Sequence, residues 1–429
     1  MTMMQGGAAQ RALVLEEEVS SVPRPSLGLT FRDSKALPVH GWYPYVEGFS
    51  AQYIHDLVKA EGRTGIVYDP FGGSGTVNLI AAQSGVDSAF SEANPFMRFV
   101  AETKVNAREQ ARRDWPQFER RLGRFRHWIN SDEFERSARR QDFEHYAAAF
   151  NGRDFFDTKD LAELLAIREA VSFFSEGHLA TNDLFRLALA SITVSCSHMT
   201  RRADLRRRRS DEYLTRVVDV RNAYLGKLMQ IERDVQVQSS SFSPTRFLSS
   251  DARQRDEELQ GRVSLVLTSP PYLNGTNYIR NTKLELWLLG YIQNERELSG
   301  LNRVCMVCGI NNVVKDRPPE HRFDGVEAVA STLDQSSPDL RIPALVRGYF
   351  SDMLIVLRNC ANYLRPGGKL VLDIGDSKFY GIHVPTDRLL CEVAAEAGLR
   401  VIGERLLARR HSRDKTPLRQ AELTFTHAA

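Results

Sequence analysis

Residues 64–76 read TGIVYDPFGGSGT. The run Ile66–Tyr68 is apolar and rich in strand-forming types, and short enough to be a buried strand. Asp69-Pro70 ends it, because proline has no N–H to give to a sheet ladder. Gly72, Gly73 and Gly75 then permit a tight turn and let a ligand approach the backbone closely. The following "GTVNLIAAQSG" has a helical pattern closed by Gly85. A helix starting at Thr76 presents free N–H groups at its N-terminus. The turn is not a phosphate P-loop, since no lysine follows its glycines. The dinucleotide fingerprint is also incomplete, since Asn78 occupies the place of its third glycine. Two readings remain: a bare strand-to-helix turn, or one that holds a nucleotide-like ligand.

Moving outward, "DSAFSEANP" predicts a second strand ending at Glu92. An acid in that place can accept both hydrogens of a ribose diol. It can equally serve as a negative charge at the start of the helix that Pro95 opens through "PFMRFVAETKVNA". Residues 110–244 are rich in Arg, Glu, Phe and Leu at helical spacing, which predicts several helices and no strands there. Strand signals return at "TRFLSS", "VSLVLTS", "GKLVLDIG", "RVIGERLLA" and "AELTFTH". Helical patterns, "GYFSDMLIVLRNCANYL" and "TDRLLCEVAAEAG", flank the third of these. Alternating strands and helices imply a mostly parallel sheet covered on both faces. The last two strands are close in sequence and are expected to pair as an antiparallel edge hairpin. Residues 291–345 read as a loop-rich insertion, and residues 1–35 as a weakly structured N-terminus. Asp251, after "TRFLSS", could accept from the exocyclic amine of an adenine or simply cap a loop.

The strand "VSLVLTS" runs into Thr268-Ser269-Pro270-Pro271-Tyr272. Two prolines and an aromatic at a strand's end make a rigid corner with fixed backbone acceptors.

The chain has 429 residues, 42% hydrophobic and 26% charged, which fits a globular protein of one large or two smaller domains. A net charge of +3 creates no global field for a polyanion, so any such partner must be met by local patches. The five cysteines are an odd number and suit a reducing compartment. Cys305 and Cys308 form one isolated CxxC with no second pair nearby, and idle thiols explain it better than a metal. The first residues, MTMMQGGAAQRALVLEEEVSS, have no long apolar run, and no stretch reaches membrane-spanning length. A cytoplasmic location is expected.

DPFGGSGT, the strand-end acid and SPPY together resemble the S-adenosylmethionine-dependent amino-methyltransferases of DNA, which modify N4 of cytosine or N6 of adenine. "LRPGGKLVLDIGDSKFYGIHVPTD" is similar to a later strand of that family, and "HGWYPYVEGFSAQYI" to its N-terminal cofactor segment. The resemblance covers residues 38–108 and about 245–425. It implies a Rossmann-like class I methyltransferase fold with a seven-stranded sheet, formed by residues 36–109 and 245–429. Residues 110–244 would then be a helical insertion and a candidate target-recognition region.

The resemblance also implies roles. Asp69 would hold the ammonium of the cofactor's methionine end, Glu92 its ribose and Asp251 its adenine. Phe71, Gly72, Gly73, Gly75 and Thr76 would form the turn around it, and Tyr45, Phe49 and Ser50 would flank the methionine end. Each of the latter three could equally belong to a hydrophobic cover on the sheet. An exocyclic amine is a poor nucleophile because its lone pair is delocalised into the ring. It gains reactivity when its hydrogens are held and the nitrogen turns tetrahedral. Ser269 Oγ and the Pro270 carbonyl are the expected acceptors, with Pro271 fixing the corner. Tyr272 would face a base swung out of the duplex. Asn277 and Tyr278 are candidates to line the base pocket, or turn residues. No Pro-Cys pair is present, which argues against cytosine C5 chemistry.

Arg201, Arg202 and Arg206–Arg209 place six arginines in nine residues, a candidate phosphate-binding loop or a solvated charged face. Serine in SPPY is commoner in the cytosine-N4 branch, so cytosine N4 is favoured over adenine N6. RNA methylation and non-catalytic nucleic-acid binding are the further alternatives. The expected partner is double-stranded DNA, and a cognate restriction endonuclease is a candidate one.

Overall fold

Among the described residues, eleven strands carry the topology: β1 (Ile66–Asp69), β2 (Ser88–Phe90), β3 (Met199–Arg201), β4 (Leu205–Arg207), β5 (Thr245–Phe247), β6 (Val263–Thr268), β7 (Leu364–Gly375), β8 (Ser377–Phe379), β9 (Ile382–Val384), β10 (Leu399–His411) and β11 (Pro417–His427). They belong to a computed structural model that describes residues 37–43, 50–62, 64–201, 204–213, 216–237, 241–273, 277–313, 321–412 and 414–428. Seven strands form one sheet in the order β10-β11-β7-β6-β1-β2-β5. All neighbours are parallel except β11, which runs antiparallel to both β7 and β10. This is a Rossmann-like α/β sheet with an antiparallel edge hairpin.

Alternation along the central strands sends side chains to two cores. Val67, Leu265, Leu267 and Val371 face one side, under the helices Ala51–Leu57 and Thr76–Gln83. Tyr68, Val266, Leu370 and Leu372 face the other, under the helices Arg341–Tyr363 and Thr386–Glu396. Every residue of β6 is buried, as a central parallel strand requires. The antiparallel hairpin is long, and its β10 ladder shifts register between Val401 and Gly403 and again between Leu406 and Ala408.

The segment between β2 and β5 folds mainly as helices, among them Trp115–Ile129, Thr158–Phe174, Leu179–Thr193 and Val220–Val235. Their apolar faces meet around Phe118, Phe125, Leu164, Phe185 and Tyr224, a core separate from the two that flank the sheet. Sequence periodicity predicted no strands in this segment. The structure corrects that: β3 and β4 form a small antiparallel ribbon inside it. Three-residue strands are too short to show a period of two. The loop-rich reading of 291–345 is corrected as well, because it contains the helices Glu295–Val304 and Asp324–Ser336. Residues 1–35, expected to be weakly structured, lie outside the described residues. Among the described residues, no helix is long and apolar enough to cross a membrane.

Candidate active site

The order of the sheet reverses between β1 and β6. The chain leaves β1 toward β2 on one side, and leaves β6 toward β7 on the other. Connections diverging from two adjacent parallel strands leave a crevice at their carboxyl ends. The turn after Asp69 and the corner after Thr268 open into this one crevice. A direct bond joins them: Thr268 Oγ1 donates to Asp69 Oδ1 at 2.7 Å.

The glycine turn is shaped from below. Gly75 N–H donates to the Gly72 carbonyl at 2.8 Å, and Gly72 N–H to the Ser91 carbonyl at 2.9 Å. Gly75 has φ of +75°, and a Cβ there would lie 2.7 Å from the Ala101 Cβ. A Cβ on Gly72 would lie 2.6 Å from Phe90. Packing on the strand and helix behind it therefore demands glycine at both places. Thr76 is the first residue of the next helix and is buried. Phe71 packs against the core on the Tyr68 side.

Two acids converge on this turn. Asp69 accepts from Phe71 N–H at 3.0 Å as well as from Thr268. Glu92 accepts from Gly73 N–H and from Asn94 N–H, each at 2.8 Å. Burial pushes the Asp69 carboxyl up to about 6 and the Glu92 carboxyl up to about 7. Among the described residues, neither acid has a lysine or arginine partner. Two desolvated carboxylates without counter-cations suit a ligand that brings a positive charge and hydroxyl donors.

Asp251 stands differently. Arg253 binds both its oxygens, Nε at 2.8 Å and Nη2 at 2.9 Å, and also reaches Asp352 at 3.0 Å. A ligand amine would have to share a carboxylate already in a bidentate pair. Ser50 is buried at the start of the helix Ala51–Leu57, where its carbonyl accepts from Ile54 N–H. Tyr45 and Phe49 lie outside the described residues.

The Ser269-Pro270-Pro271-Tyr272 corner is braced by the neighbouring strands. The Tyr272 hydroxyl donates to Asp373 Oδ1 on β7. Gln420 on β11 donates to both Asp373 oxygens, at 2.8 and 3.0 Å. The Arg410 guanidinium lies 5.2 Å from the centre of the Tyr272 ring. It lies against Gly375, where an added Cβ would overlap the guanidinium. Burial and the nearby Asp373 push the Tyr272 hydroxyl well above its ordinary range, so it remains a proton donor. Asp373, Gln420 and Arg410 were not picked out from sequence. The available signal was Asp373 itself, an acid within the apolar run KLVLDIG.

After the corner, Asn277 caps the short helix Tyr278–Asn281, its Oδ1 accepting from Arg280 N–H at 2.9 Å. Tyr278 is partly buried, and its carbonyl accepts from Asn94 Nδ2 at 3.5 Å. Asn94 Nδ2 also donates to Thr282 Oγ1 at 2.8 Å. The loop that holds Glu92 is thereby tied to the segment following the corner.

The expected phosphate role of Arg201 is corrected. Its side chain is only 10% exposed, and Nη2 lies 2.6 Å from the Glu285 carboxylate, itself 1% exposed. Nη1 donates to the Tyr43 hydroxyl at 2.7 Å. A guanidinium this buried requires a carboxylate partner, and Glu285 supplies one. Arg206 pairs with Glu212 at 2.8 Å and Arg207 with Asp154 at 2.9 Å. Arg202 lies outside the described residues. Cys308 is buried in the core on the Tyr68 side, and no group of three metal-ligating side chains occurs among the described residues.

No protein-family profile matches the chain. The chain is 24% identical over 411 residues to the Type II methyltransferase M.AvaI of Nostoc sp. (strain PCC 7120 / SAG 25.82 / UTEX 2576), covering 87% of this chain and 81% of the relative. It is 22% identical over 425 residues to the Type II methyltransferase M.BsoBI of Geobacillus stearothermophilus, with the same coverage. Among solved structures it aligns with an rRNA methyltransferase, aviRa of Streptomyces viridochromogenes, over 91% of this chain and 85% of that one. The identity there is 10% and the TM-score 0.26, a likeness too slight to bear on fold or function.

Proposed function

We propose that this chain is an S-adenosylmethionine-dependent DNA amino-methyltransferase that methylates the exocyclic amine of a base extruded from DNA, with cytosine N4 favoured over adenine N6. One observation carries the proposal: DPFGGSGT and SPPY leave adjacent strands and share the Asp69–Thr268 bond. A cofactor held over the first is thereby beside a base held by the second.

The residues at the turn fit that cofactor. Asp69 would hold its ammonium group and Glu92 its ribose hydroxyls, which would give the two desolvated acids a cation and donors. Phe71, Gly72, Gly73, Gly75 and Thr76 would surround it, and Ser50, with Tyr45 and Phe49 of the segment before it, would be the candidates to flank the methionine end. Asp251, already paired with Arg253, would be the acceptor for the adenine amine. When bound, S-adenosylmethionine supplies an electrophilic methyl group. Ser269 Oγ and the Pro270 carbonyl accept the two amine hydrogens, returning the nitrogen's lone pair from the ring. Pro271 would keep that corner from moving, and the Tyr272 ring would meet the base. Asn277 and Tyr278 border the pocket. Residues 110–244 are the target-recognition region, and 291–345 a second element near the site. A cytoplasmic location, with a cognate restriction endonuclease as a candidate partner, belongs to the same proposal.

Transfer of labelled methyl from S-adenosylmethionine to duplex DNA, compared with RNA, tests this. Label in DNA, recovered as N4-methylcytosine after digestion, is expected. N6-methyladenine would move the target base to the alternative. No label at all, with DNA binding retained, would overturn the enzymatic reading.

A further inference from the structure

The β10–β11 hairpin continues past the sheet. β11 pairs with β7 only from Gln420 to Phe425, and Gln420 already faces Gly375, the last residue of β7. β10 and β11 go on pairing with each other through Arg409↔Arg419, Arg410↔Leu418 and His411↔Pro417. β10 is parallel in direction to β6, so these residues project from the carboxyl edge, on the same side as Ser269–Tyr272.

Charge accumulates on this projection. Arg409 and Lys415 are exposed, and neither has a carboxylate partner among the described residues. The one acid of the tip, Asp414, is neutralised by Lys378 of the β8–β9 ribbon at 2.6 Å. Arg410 lies over Tyr272, and its Nε is buried with no hydrogen-bond partner among the described residues. In the 201–209 cluster, by contrast, Arg201, Arg206 and Arg207 each have an acid. Arg208 and Arg209 of that cluster also lack an acid among the described residues, but Arg409, Arg410 and Lys415 are gathered at the carboxyl edge beside the Ser269–Tyr272 corner.

Building on the DNA reading of the site, we propose that this hairpin is a phosphate-binding wing. Arg409 and Lys415 hold the sugar-phosphate backbone of the strand that gives up its base, and Arg410 holds a phosphate next to the extruded nucleotide. The phosphates flanking an extruded base stay within about one nucleotide of it, and a guanidinium resting on the platform beneath that base is within their reach. Removing a cation that contacts phosphate lowers the salt dependence of binding in a way that no buttressing role would.

The experiment is duplex-DNA binding by the full chain at several salt concentrations, comparing the unmodified protein with Arg409→Gln/Lys415→Gln and with Arg410→Gln. The double variant is expected to lower the slope of log K against log salt by about 2, and Arg410→Gln by about 1. DNA KM should rise in both, while cofactor Kd and melting temperature match the parent. Parental slopes in folded variants would overturn the wing and leave the methyltransferase reading intact. If the unmodified chain neither binds nor methylates DNA, the functional reading falls and the wing falls with it.

Discussion

The Tyr272 hydroxyl donates to Asp373 Oδ1 at 3.2 Å, so the ring that follows the two prolines is anchored from the adjacent strand. Gln420 fixes that carboxylate from the strand beyond. Substituting Asp373→Ala frees the ring to rotate about its own side-chain bonds. Because displacements of about 1 Å can cost up to about 100-fold, kcat should fall by roughly that range, with cofactor affinity retained. Tyr272→Ala should lose at least as much. Single-turnover methyl transfer measures both, and a parental rate for Asp373→Ala would remove the anchor from the mechanism.

Cofactor affinity should depend on pH through Asp69 and Glu92, pushed up to about 6 and about 7. The cofactor's ammonium and hydroxyls favour the ionised acids, so affinity should rise from pH 5.5 to 8 and then level off. Their effect on the unliganded fold has the opposite sign. Both folded values exceed the ordinary 3.8 and 4.5, so this contribution to stability is fullest at low pH and is lost as pH rises through 6 and 7. Calorimetric titration across this range, repeated with Glu92→Gln, should show the upper part of the affinity rise disappear. A pH-independent Kd in the parent would exclude this linkage.

Gly75→Ala and Gly123→Ala should move stability in opposite directions. Gly75 sits at φ +75° with the Ala101 Cα only 2.8 Å from an added Cβ. Strain there should cost about 1–3 kcal/mol and weaken cofactor binding. Gly123 lies inside the helix Trp115–Ile129 with nothing within 4 Å of an added Cβ. Alanine there should stabilise by about 0.5–1 kcal/mol. Urea unfolding of the two variants would reveal whether they diverge.

Arg201→Ala should act on the fold and not on DNA. It leaves the buried Glu285 carboxylate with the Tyr43 hydroxyl but no counter-cation, a change that typically costs about 3–5 kcal/mol. Its salt slope for DNA binding should equal the parental one. A slope reduced by about 1, with unaltered stability, would restore the phosphate role to Arg201.

Local chemistry made the frame of the site readable. Glycines that pack against Phe90 and Ala101, and a proline pair that must end a strand, announce themselves within a dozen residues. Their adjacency followed from sheet topology alone. What stayed hidden was long-range. Nothing near Arg201 indicates that its counter-charge is Glu285, 84 residues away. Gln420 resembles any polar residue of an edge strand until β11 brings it opposite Gly375. The ribbon β3–β4 escaped because three residues give no periodicity, and Arg410 because an arginine-rich hairpin looks uniformly solvated.

The second register shift in β10 determines which of two neighbouring arginines turns inward. Before it, Gly403 and Arg405 are the less exposed positions; at the step itself Leu407 is; after it, Ala408 and Arg410 are, while Arg409 and His411 face out. Odd residues hand over to even ones across a single irregular step. In a regular ladder, parity would persist, and Arg409 would lie toward Tyr272 while Arg410 faced water. One extra residue thus sorts two chemically identical side chains into an inner and an outer one, a selection written in backbone spacing alone.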